Sequence, residues 1–173
     1  MNPRRRELVI AGVFLPFEAL AQTCGTLTEP QTEGPFFKPK SPMRVSLLEK
    51  NSTSRLALAG TVLSRDCKPV ANALLDFWHA DEEGAYDNRG FRYRGHQFTD
   101  AEGRYRLETI FPSEYTGRAR HIHVKVQAPG RRILTTQVYF PGEAGNASDS
   151  LFSPALVMRM QERGQGRFDF VTA

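Results

Sequence analysis

No stretch of this chain keeps a helical period for long. Its apolar residues come in short runs cut off by glycine, proline and aspartate. Residues 56–63, 73–78, 95–99, 105–109, 121–126, 133–140 and 168–171 read as strands on this pattern. The run at 73–78 is apolar enough to be buried on both faces, and the one at 121–126 alternates. Asp100-Ala101-Glu102-Gly103 reads as a hairpin turn between its flanking runs. The spacing predicts only one helix, a short one at 154–162. Many short strands and little helix predict an all-β fold, a β-sandwich of mostly antiparallel strands. At 173 residues the chain suffices for one such core and is too short for two, and its 12 Phe, 14 Gly and 11 Pro suit a loop-rich β body. Residues 22–50, rich in proline and polar side chains, read as an extended arm lying on a body formed by 51–173. No internal repeat or low-complexity tract interrupts the pattern.

The formal net charge is +4 and is not gathered into a basic stripe, which argues against nucleic acid as a partner and is compatible with a small anionic substrate. Residues 1–21 read as a targeting leader. Arg4-Arg5-Arg6 precede a short apolar stretch, and Ala19-Leu20-Ala21 is a small-x-small cleavage site. The stretch is too short to span a bilayer, so no integral membrane segment is expected. Consecutive arginines ahead of it point to periplasmic or secreted localisation by twin-arginine export. The competing reading is an N-terminal core helix, since Glu18 spoils the apolar region. Cys24 and Cys67 form no CxxC motif. In an exported chain they could tie the arm to the Asp66-Cys67-Lys68-Pro69 turn, or they could be two unrelated thiols.

His121-Ile122-His123 carries the chemistry. Residues two apart on a strand face the same side, so both imidazoles can reach one point, as half of a metal site or as a solvent-facing pair. Spacing alone leaves both open. Asp81 and Glu114 are the acidic candidates for a two-His-one-carboxylate centre. Two loop tyrosines offer another kind of donor: Tyr86, after the 73–78 run, and Tyr115, six residues before His121. A phenol with a pKa of about 10 is readily deprotonated near neutral pH only by a strongly Lewis-acidic ion, and Fe(III) is the abundant one.

The stretch Asp76-Phe77-Trp78-His79-Ala80-Asp81-Glu82-Glu83-Gly84-Ala85-Tyr86 resembles the first tyrosine segment of the intradiol ring-cleavage dioxygenases, the family of catechol 1,2- and protocatechuate 3,4-dioxygenases. Tyr115-Thr116-Gly117-Arg118-Ala119-Arg120-His121-Ile122-His123 is similar to its second tyrosine and HxH segment. Thr135-Thr136-Gln137-Val138-Tyr139-Phe140 is similar to its glutamine strand. Thr32-Glu33-Gly34-Pro35-Phe36-Phe37 resembles the arm closing one side of its pocket. These segments run in the family's order, and the short spacing from Tyr115 to His121 is like that of its small exported members. The resemblance implies a non-haem Fe(III) cofactor held by Tyr86 and His123 as equatorial ligands and by Tyr115 and His121 as axial ones. It implies that Arg118 stabilises charge developing on the substrate ring and that Gln137 supports the site. The implied reaction cleaves a catechol-type ring with O2 to a cis,cis-muconate type diacid.

Other residues read more plainly. His79 is a packing or hydrogen-bonding residue, His96 a surface or pocket residue, and Asp81, Glu82 and Glu83 a solvated turn. Arg92, Arg94, Arg104 and Arg106 read as polar strand faces, one of which could pair with a substrate carboxylate if it turned inward. Two further functions fit the same pattern. One is a non-catalytic, transthyretin-like binding module. The other is a metalloenzyme in which His121, His123 and a carboxylate hold Fe(II) or Cu(II). The ring substrate and the oligomeric state, a homo-oligomer included, stay open.

Overall fold

Burial along the first strand follows a two-residue period: Leu56, Leu58, Gly60 and Val62 are buried while the residues between them are not. The strand that carries them, β1 (Leu56–Ser64), is the centre of one sheet. The protein's structure, a computed structural model, describes residues 25–162 and 164–173. The expected leader and Cys24 lie outside the described residues. Cys67 is disulfide-bonded.

The remaining strands are β2 (Leu74–Trp78), β3 (Arg94–Phe98), β4 (Arg104–Thr109), β5 (His121–Gln127), β6 (Leu134–Tyr139), β7 (Arg159–Glu162), β8 (Gln165–Arg167) and β9 (Phe170–Thr172). One sheet has the order β4-β1-β8-β7, with β9 pairing in parallel with the second half of β1. The other is antiparallel, in the order β3-β2-β5-β6. Their inner faces form a β-sandwich core of Leu58, Val62, Leu75, Phe77, Leu107, Ile122, Val124, Val126 and Val138, all fully buried.

Two expectations fail. Residues 154–162 are not a helix: a 3-10 turn, Pro154–Leu156, leads through Val157 and Met158 into β7. The Met158 N–H donates to the Tyr139 carbonyl, and the burial of Leu156 and Met158 follows a two-residue period. Tertiary partners thus outweigh local propensity. The turn at Asp100–Gly103 does not close a hairpin, because β3 pairs with β2 and β4 with β1. The turn itself forms as expected, with the Asp100 carboxylate accepting from the N–H groups of Glu102 and Arg104. Beyond it the side-chain amide of Gln97 bonds both the N–H and the C=O of Arg106, standing where a backbone ladder would run, and the two strands part into separate sheets.

The arm joins these sheets. Its N–H groups at Thr28 and Gln31 donate to Val171 of β9 and Thr135 of β6. It then crosses the outer face of the β3-β2-β5-β6 sheet, exchanges bonds with His96 on the edge of β3, and reaches Glu108 of β4 through Val45 and Leu47. Leu47 plugs the core opposite Gly95, where a Cβ would come within 2.7 Å of its Cδ2. Truncating this fully buried side chain, Leu47→Ala, is expected to cost about 2–5 kcal/mol of stability, read by urea unfolding. A loss below about 1 kcal/mol would mean that the arm is not part of the core.

Candidate metal centre

The register of the outer sheet sorts its outward side chains into rows. Arg94, Trp78, His123 and Gln137 lie side by side across β3, β2, β5 and β6, and His121 and Tyr139 form the next row. On β5 this puts His121 and His123 on the outer face, while Ile122 and Val124 enter the core. The arm and loops cover the face, leaving the two imidazoles 4% and 3% exposed.

His121 Nδ1 lies 2.6 Å from the Ala119 carbonyl, which can only accept, so Nδ1 carries the hydrogen. Burial pushes the His121 imidazole down to about 4 and His123 well below its ordinary value, so both rings are neutral. His121 Nε2 therefore presents a lone pair inward, 3.1 Å from His123 Nε2 and 3.3 Å from the Tyr86 hydroxyl. His123 stacks on Trp78 at 4.8 Å, and its Nδ1 is a buried polar atom without a hydrogen-bond partner among the described residues. Gly34 of the arm sits over this ring with a positive φ of 70°. A Cβ there would lie 3.6 Å from the ring and would be strained.

Tyr86 reaches the site because its loop is folded by carboxylates. Asp81 accepts from the N–H groups of Glu83 and Ala85, and Asp87 from those of Arg89, Gly90 and Arg92. Phe36 of the arm stacks on the Tyr86 ring at 4.4 Å, and Tyr115 packs edge-on against Tyr86 at 5.6 Å and against Phe36 at 5.1 Å. Burial raises the Tyr86 pKa above its ordinary value, and the charges of Arg118 and Arg94 oppose that rise. The phenol thus stays protonated until a cation displaces the hydrogen.

These donors fit a hard, strongly Lewis-acidic metal ion. Two neutral imidazole nitrogens and a phenol oxygen converge, with a second phenol beside them. Among the described residues no group of three or more His, Cys, Asp or Glu side chains could hold a metal. Asp81 is instead engaged with Arg92 and its own loop, and Glu114 lies against Gly145. A two-His-one-carboxylate centre therefore lacks its acid.

Arg118 is held from three sides. Its Nε donates to both oxygens of Asp149 at 2.9 and 3.0 Å, and Nη2 donates to Gln137 Oε1 at 2.6 Å and to the Tyr139 hydroxyl at 3.0 Å. Gln137 in turn donates to the Thr32 carbonyl of the arm. Asp149 and Tyr139 escaped the reading of the sequence. Asp149 lies in a polar loop 31 positions from Arg118, with no pattern to mark it. His79 is a buried packing residue with its ring nitrogens 2.7 Å from the Ala80 carbonyl and the Thr109 hydroxyl. His96 meets Ser41 at the arm. Arg104 and Arg106 are exposed and paired with acidic neighbours, and Arg92 pairs with Asp81, but Arg94 departs from expectation and is buried under the arm.

A β-sandwich that gathers two buried imidazoles and two half-buried phenols on one outer sheet face presents a set of donors that a metal ion could use. A family model described as Dioxygenase matches residues 32–171. Chlorocatechol 1,2-dioxygenase of Pseudomonas sp. (strain P51) is 31% identical over 175 residues, covering 83% of this chain and 70% of the relative. The corresponding enzyme of Pseudomonas putida is 32% identical, covering 80% of this chain and 64% of its own. Among solved structures, the dioxygenase domain of a dioxygenase carbohydrate-binding protein fusion from the cellulolytic bacterium Streptomyces sp. SirexAA-E superposes with a TM-score of 0.81 at 55% identity, covering 85% of this chain and 98% of that one. The chain belongs to the intradiol ring-cleavage dioxygenase family.

Breaking the Arg118–Asp149 pair tests the frame of the site. Burial opposes ionisation of Asp149, but N–H donors from Leu151 and Ala119 and the Arg118 guanidinium prevail and hold its pKa below the usual carboxylate value. Asp149→Ala is expected to cost about 3 kcal/mol at pH 7 by urea unfolding, because it leaves a largely buried cation unpaired. A group with a lowered folded pKa stabilises above its unfolded pKa. The difference between wild type and variant should therefore shrink as pH falls below about 4. A gap independent of pH would show that the pair is not its source.

Proposed function

We propose that this chain binds Fe(III) through Tyr86, Tyr115, His121 and His123 and cleaves a catechol-type ring with O2 to a cis,cis-muconate type diacid. The observation that carries this reading is the approach of His123 Nε2 and the Tyr86 hydroxyl to His121 Nε2, at 3.1 and 3.3 Å, with no carboxylate in the set among the described residues. When bound, ferric iron supplies Lewis acidity and an electron sink for the ring. The chain's own residues do the rest. Tyr86 and Tyr115 supply oxygen donors, and release of the Tyr86 proton on metal binding makes loading pH-dependent. Trp78, Phe36 and Gly34 pack over the imidazoles and the phenol and keep water from them. Arg118 holds a fixed positive charge beside the site. Its ties to Asp149, Gln137 and Tyr139 spare it reorganisation when negative charge grows on a bound ring. The relatives named for catechol, chlorocatechol and hydroxyquinol support a catechol-type substrate for this chain. A non-catalytic binding module would leave the buried donor set unexplained.

Export belongs to the same reading. It is supported by the arginine-led leader and by the disulfide at Cys67, a bond that persists in oxidising compartments.

The purified protein is expected to carry about one iron per chain and a broad visible phenolate-to-iron band. Tyr86→Phe and Tyr115→Phe should each shift or weaken that band. His121→Ala and His123→Ala should lose the iron, while His79→Ala keeps it. Wild-type spectra from both tyrosine variants would remove the tyrosines from the ligand set. O2 uptake across a panel of catechols, with product mass spectrometry, identifies the substrate.

Arg118→Leu should retain iron and the spectral response to catechol while turnover falls roughly 10²-fold or more. Near-normal turnover on the same iron-loaded preparation would rule out a catalytic role for Arg118.

A further inference from the structure

Arg94 opens β3 on the same outer face as His123, paired across the sheet with Trp78, and is 1% exposed. A guanidinium cannot shed its proton to escape burial, so its hydrogen bonds must offset the cost. Nε donates to the Asp87 carbonyl at 3.0 Å and Nη1 to the Phe36 carbonyl at 2.6 Å. Those carbonyls belong to segments distant in sequence that meet on one ring. Asp87 directly follows Tyr86, and Phe36 is the arm residue stacked on Tyr86. The arm also grips Arg94 from behind, since Arg44 donates from Nε and Nη2 to the Arg94 carbonyl at 3.0 and 2.9 Å. The preceding residue, Tyr93, is held at a positive φ of 52°, a conformation costly outside glycine. Its ring stacks on His79 and its hydroxyl donates to Glu82, so packing fixes where β3 begins and where Arg94 points.

We propose that Arg94 is a positioning residue for Tyr86. One buried guanidinium ties the tyrosine's loop to the arm ring stacked on it, and so fixes where the phenol oxygen is presented. The inference rests on the reading of Tyr86 as an iron ligand. A single ammonium in its place would keep the charge but could not serve as the same rigid fork.

Two variants and two readouts test this. Arg94→Met keeps an apolar stem and removes both fork and charge. Arg94→Lys keeps the charge. In metal-free protein, amide exchange followed by mass spectrometry should rise about tenfold or more in residues 33–38 and 84–90 together in Arg94→Met. At full iron loading its phenolate-to-iron band should be displaced from that of the wild type. Arg94→Lys should show the same paired rise in exchange with a band nearer the wild-type position, and it decides the question if Arg94→Met fails to fold. Wild-type exchange in either segment, or an undisplaced Arg94→Met band, would overturn the proposal and leave Arg94 a buried spacer. A wild-type protein without iron or band would sink the iron reading separately. The exchange measurement needs no metal and would still decide whether Arg94 couples the two segments.

Discussion

His121 and His123 lie on the side of their sheet away from the core, and the rest of the site depends on that placement. It is set by the register of β5 against β2 and β6, in which His123 pairs with Trp78 on one side and Gln137 on the other. A slip of one residue would turn both imidazoles into the sandwich and expose Ile122 and Val124, so burial of the inner face defends the position of the imidazoles. Polar groups on the outer face can stay dry only because something else covers them. The arm does so, with Gly34 over His123 and Phe36 over Tyr86, and it is fastened to both sheets by backbone bonds.

The site thus joins rigid and borrowed parts. Two donors come from a central strand, where packing leaves little freedom, and two from loops that need props. The props are mostly charges: Asp81 and Asp87 fold the Tyr86 loop, and Asp149 pins Arg118 beside the HxH strand. Sheet register handles direction, and local carboxylates handle the turns that a sheet cannot make.

Much of this was legible in the sequence wherever a two-residue period operated. The strands from β1 to β6 follow the apolar runs closely, and His121 and His123 share a face as their spacing requires. Tyr86 and Tyr115 were marked only by resemblance to a family, because a loop tyrosine has no period to betray it. Asp149, Tyr139 and the covering of Arg94 by the arm stayed hidden because their roles come from contacts between distant segments. The helix expected at 154–162 fails for the same kind of reason, since the carbonyl of Tyr139 draws that segment into extended backbone. The Asp100–Gly103 turn was read correctly as a turn and wrongly as a hairpin. What separates β3 from β4 is one glutamine side chain, which no rule of turn composition contains.

The parallel pairing of β1 with β8 and β9 bears on how the molecule is made. Among the described strands β1 is the first to leave the ribosome, and its partners on that flank are the last. The N–H of Val171 finds its acceptor on Thr28, 143 positions earlier. One edge of the central strand therefore stays open throughout synthesis, a nascent surface open to wrong pairings or to a chaperone. Closure of the sheet, and with it the tie between Thr28 of the arm and Val171, must wait until residue 172 has emerged. An arm tied this way gains its last backbone bond only after translation has passed β9.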